Sequence, residues 1–80
     1  MLPIETLEEL QRKLNDKLKG LGLEYNVRID YFDESARKFE FYLWQRHSYE
    51  SSESMEQRSR EVVSHFLTNW TNNSLRGIYR

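Results

Sequence analysis

The side chains in this sequence that could ligate or react are two histidines, a cluster of serines and scattered carboxylates. His47, Glu50 and Glu53 follow one another at three-residue steps within His-Ser-Tyr-Glu-Ser-Ser-Glu-Ser, and His65 lies further along beside Phe66. Imidazole and carboxylate are ordinary metal ligands, so this spacing is the one place where an ion site suggests itself. Nothing completes it. The sequence has no His-Glu-x-x-His pair, no glycine-rich phosphate loop and no nucleophile elbow. A solvated loop histidine and a helix-surface histidine account for both residues without any reaction. Cysteine is absent, which removes thiolate catalysis, disulfides and cysteine-held zinc together. The chain therefore reads as a non-enzyme that needs no metal and no cofactor.

Other matches are matches of letters. Asn69-Trp70-Thr71 and Asn72-Asn73-Ser74 fit the glycosylation acceptor pattern, but no basic stretch leading into an apolar run marks a secretory leader. The serine-rich acidic segment offers hydroxyls for phosphorylation and is explained equally well as a solvated linker. Gly77-Ile78-Tyr79 shares letters with half of a nuclease motif and lacks the other half.

What remains is recognition chemistry. Aromatic rings and arginine are the usual anchors of interfaces, and Arg28, Tyr42, Trp44 and Arg46 are expected to share one surface. They sit in residues 23–46, where two runs of β-branched and aromatic residues alternate with polar ones around Asp-Glu-Ser-Ala-Arg-Lys, a hairpin signal. Odd positions Tyr25, Val27, Ile29 and Tyr31 face the same way as Phe39, Phe41 and Leu43, giving one apolar face. The other face carries Asn26, Arg28, Asp30, Lys38, Glu40, Tyr42, Trp44 and Arg46. Pairing Ile29 with Phe39 sets Arg28 against Glu40 and Asp30 against Lys38, both favourable. Sliding by two sets Asp30 against Glu40, so the first register is preferred.

Two helices are available to cover the apolar face. Over residues 4–20, Leu7, Leu10, Leu14 and Leu18 recur at three- and four-residue steps, with Leu21 continuing the pattern. Thr6 with Glu9 has capping-box spacing, Pro3 offers an earlier start, and Gly20 is expected to take the left-handed position with Leu21 folding back. Residues 47–52 read as a loop. A second helix is expected over 53–71, with Met55, Val62, Val63, Phe66, Leu67 and Trp70 on one side. Residues 75–80 suit either a short third strand or a frayed end. The order is helix, strand, strand, helix, a small α+β domain in which both helices pack on one face of an antiparallel hairpin.

Composition bounds the function. Eighty residues, 38% apolar and 14% aromatic, are enough for one small core, and intrinsic disorder is not expected over 4–70. A net charge of −1, with twelve basic and thirteen acidic residues, lacks the basic balance of a nucleic-acid binder. No apolar run approaches the roughly 18 residues of a membrane span. The expectation is a soluble cytoplasmic protein acting through protein–protein contact, most simply as a homodimer. The alternative is a nucleic-acid-binding module using the same aromatic and arginine face, which Asp30, Glu40 and the overall charge disfavour.

Overall fold

A computed structural model describes residues 2–46 and 53–74. Its elements are α1 (Ile4–Gly20), β1 (Tyr25–Asp33), β2 (Lys38–Gln45) and α2 (Glu53–Ser74). The fold is α+β, helix-strand-strand-helix, with α1 lying mainly on β1 and α2 mainly on β2. The loop expected at 47–52, with His47 and Glu50, and the strand or frayed end expected at 75–80 lie outside the described residues.

The leucine stripe makes α1 amphipathic, and Leu10, Leu14 and Leu18 are buried. Pro3, not Thr6, stands at its N-terminal boundary. With φ −61° and ψ 149°, Pro3 has extended backbone, and its carbonyl accepts from the N–H of Thr6 at 3.1 Å. Thr6 already lies in the first turn, so the Thr6/Glu9 capping box does not form, and no side chain caps this end. Glu9 instead pairs with Lys13 at 3.4 Å along the exposed flank.

The other end of α1 also differs from expectation. Gly20 is helical, Leu21 is the cap residue at φ −87°, and Gly22 takes the left-handed backbone at φ 74°. The N–H of Gly22 donates to Lys19 O and that of Leu23 to Leu18 O, each at 3.0 Å. These are the two bonds of a Schellman motif, which satisfy helix carbonyls that would otherwise lack a partner. Its apolar contact joins Leu18 to Leu23, both buried, and leaves Leu21 exposed. Placing the left-handed residue two positions later is what sends Leu23 into the core.

The hairpin takes the register rejected on charge grounds, and a bulge removes the objection. Ile29 stands opposite Phe41, Arg28 opposite Tyr42 and Val27 opposite Leu43; the pairing then shifts so that Tyr31 faces Glu40, Phe32 faces Phe39 and Asp33 faces Lys38. Asp30 is the extra residue, so it never meets Glu40 as a cross-strand partner. The bulge also exchanges faces: Tyr31, expected inside, points out, and Phe32 enters the core.

Turn chemistry and aromatic packing both favour this outcome. The Asp33 carboxylate accepts from the Ser35 hydroxyl at 2.8 Å and from the N–H groups of Ser35 and Ala36 at 3.1 and 3.2 Å. The Ser35 hydroxyl bond, followed by that from the Ala36 N–H, holds this carboxyl below the usual carboxylate range. Arg37 completes the loop in left-handed backbone at φ 54°. Phe32 and Phe39 then pack with ring centroids 4.8 Å apart, and Phe39 meets Trp70 edge-on at 5.7 Å.

Along α2 the fully inward stripe is Ser59, Val63, Leu67 and Thr71, flanked by partly buried Val62, Phe66 and Trp70. The two buried hydroxyls are satisfied within the helix, Ser59 donating to Met55 O and Thr71 to Leu67 O, each at 2.9 Å. Asn72, Asn73 and Ser74 remain helical, so α2 runs past the end expected at Thr71.

Candidate functional site

Both helices lie on one side of the hairpin, and neither covers the other. On that outer face Tyr31, Tyr42 and Trp44 are 54%, 44% and 43% exposed, a large fraction for rings of this size. Tyr42 and Trp44 are two residues apart on β2 and therefore share the face, with ring centroids 5.8 Å apart and planes tilted by 43°. Across the ladder Arg28 stands opposite Tyr42 and Asn26 opposite Trp44. The Arg28 Nε lies 3.8 Å from Asp30 Oδ1, an exposed pair that leaves the guanidinium open to other partners. Arg28, Asp30 and Glu40 give the face both signs of charge in place of a basic stripe.

Of the four residues expected here, Arg28, Tyr42 and Trp44 are brought together. Arg46 is not among them. Its Nη2 donates to Leu23 O at 2.8 Å and its backbone N–H to Glu24 O at 2.9 Å, which tie it to the connection between α1 and β1. The Arg46 Nε is buried without a hydrogen-bond partner among the described residues.

Tyr31 belongs to the face and was missed. The signal available was the Tyr31-Phe32 doublet, which breaks strict alternation. When one of two adjacent aromatics must turn outward, the one with a hydroxyl loses less.

The edges of the two-stranded sheet are unequal. Asn15 on α1 donates from Nδ2 to Val27 O at 3.2 Å and accepts from Val27 N–H at 2.8 Å, reproducing with a side-chain amide the paired bonds of a neighbouring strand. One turn earlier, Gln11 Oε1 accepts from Ile29 N–H at 3.0 Å. The free edge of β1 is thus closed by two amides four residues apart. Neither stood out in the sequence, where both look like solvated residues on a helix flank.

The histidine and carboxylate set forms no ligand site among the described residues. His65 is exposed on α2 with Nε2 3.2 Å from Asn69 Nδ2, and Glu53 is exposed in the first turn of α2. Among the described residues no group of three or more metal-ligating side chains converges, and no helix is long and apolar enough to cross a membrane. No protein-family model, curated protein or solved structure matches the chain.

Proposed function

We propose that this chain is a small non-catalytic interaction module, working in the cytoplasm, whose contact surface is the outer face of the hairpin and whose simplest partner is a second copy of itself. The observation that carries the reading is that Tyr31, Tyr42 and Trp44 are each about half exposed on a sheet face that neither helix covers, with Tyr42 and Trp44 in ring contact. Aromatic anchors beside an arginine are what interface centres are built from. A two-fold contact needs a self-complementary patch, and this one carries Arg28 together with Asp30 and Glu40, so a rotated copy can set cation against carboxylate. Edge-to-edge pairing through β1 finds no support, because Gln11 and Asn15 already occupy that edge.

Sedimentation equilibrium over a wide concentration range tests this. The expected result is a reversible dimer whose dissociation constant rises about tenfold or more in Trp44→Ala, with far-ultraviolet circular dichroism unchanged. Arg28→Glu, at a fully surface position, provides a second variant should Trp44→Ala unfold. A mass of one chain at every concentration contradicts the homodimer.

The tilted Tyr42–Trp44 pair next to Arg28 also has the form of a base-stacking platform, which keeps a nucleic-acid reading second. Tight binding of a single-stranded oligonucleotide, falling steeply with salt, would favour it over the first.

A further inference from the structure

We infer that the outer edge of β2 and the adjoining flank of α2 form a slot for an extended acidic segment of a partner protein, bound as an added third strand. The argument starts from backbone direction. Val27 and Ile29 give their N–H groups to Asn15 and Gln11, so those groups point away from β2. Their cross-strand partners Leu43 and Phe41 are therefore the residues of non-hydrogen-bonded pairs, and turn their own N–H and C=O groups to the opposite, outer edge. Phe39 follows by two-residue alternation. Among the described residues no hydrogen bond reaches this edge at Phe39, Phe41 or Leu43. Side-chain amides hold one edge of the sheet at Val27 and Ile29, and among the described residues the other edge is open.

The open edge does not simply face water. A groove of about 360 Å³ runs between residues 37–41 and α2, whose wall there includes Arg60, Ser64, Thr68 and Asn72. Short side chains at Ser64 and Thr68 leave the space that a larger residue would fill. Phe39, Phe41 and Leu67 supply apolar lining. A strand edge beside a helix, with alternate pockets for side chains, is the geometry in which extended peptides add to sheets. Five residues of added strand span roughly 17 Å.

Charge chooses the occupant. Arg37, Lys38 and Arg60 line the groove against the single carboxylate of Glu40. Arg60 also meets Glu56 at 3.7 Å and Lys38 stands opposite Asp33, both pairs of the weak surface kind. A segment alternating apolar with acidic residues places the first toward the lining and the second toward this rim. The bonds that hold the segment are made at the strand edge and not by the aromatic rings, so the inference goes beyond the homodimer and does not depend on it.

The test is a nuclear magnetic resonance titration of the labelled full-length chain with the blocked peptide Glu-Val-Asp-Val-Glu-Val-Asp. Expected are shifts concentrated at the amides of Phe39, Phe41 and Leu43, with slowed hydrogen exchange at those positions. Affinity should fall about fivefold in Arg60→Glu and in Lys38→Glu, which reverse a charge on opposite walls. It should be lost when alternate peptide nitrogens are methylated. Slow exchange at Phe39 and Phe41 before peptide is added would mean that the chain covers this edge itself, and would overturn the inference. So would equal binding of the lysine analogue, shifts confined to Tyr42 and Trp44, or no shift at millimolar peptide.

Discussion

Gly20 ends α1 with helical backbone, while Gly22 sits at φ 74°, and in both cases a Cβ would meet nothing within 4 Å beyond the neighbouring residues and the helix's own backbone. With sterics equal, only backbone conformation separates them, and it predicts opposite signs. Gly20→Ala should stabilise the chain by about 0.5–1 kcal/mol, because alanine loses less freedom on entering a helix. Gly22→Ala should destabilise it by about 1 kcal/mol, the cost of left-handed backbone reduced by a stiffer unfolded chain. Urea midpoints decide the matter, and equal effects at both positions would mean that the Schellman turn is misplaced. The same scale explains Arg46. Letter by letter it belongs to the polar alternation of β2, yet the carbonyl of Leu23, in the connection between α1 and β1, claims its guanidinium. Residue type alone does not carry that information, since the competing partner lies more than twenty positions away.

At the scale of elements, both helices, the hairpin and their order were legible because each rests on a repeated signal: leucines at helical spacing in α1, two-residue alternation in the strands, and a mixed apolar stripe in α2. The register was not legible. Simple charge pairing favoured Ile29 opposite Phe39, and it failed because it treated the strand as regular. One bulge at Asp30 lets Phe32 and Phe39 both enter the core, keeps Asp30 from facing Glu40, and leaves Asp33 to organise the turn. Those gains are collective, so no pairwise count reveals them. The same bulge adds Tyr31 to the candidate face. The closure of the β1 edge was equally hidden, and it carries its own prediction. Asn15→Ala leaves the N–H and C=O of Val27 without their partner, at a cost of about 1–3 kcal/mol. Hydrogen exchange at Val27 should accelerate about tenfold or more while Ile29, held by Gln11, is less affected. Unchanged exchange at Val27 would show that the amide bond contributes nothing to the edge.

Viewed as a whole, the molecule is two layers with one side finished. Helices cover the inner face of the hairpin, and the outer face leaves three aromatic rings half in water. Covering that face with a second copy couples folding to association, because the dimer binds only folded chains. Thermal stability should then depend on concentration. For a chain of this length, a tenfold rise in protein concentration above the dissociation constant is expected to raise Tm by about 4 °C. Trp44→Ala should melt at a lower temperature that no longer moves with concentration. Salt offers a further check: a contact in which Arg28 of one copy meets Asp30 or Glu40 of the other is screened, so raising the ionic strength should lower the wild-type Tm. A Tm independent of concentration in the wild-type chain would rule out the homodimer.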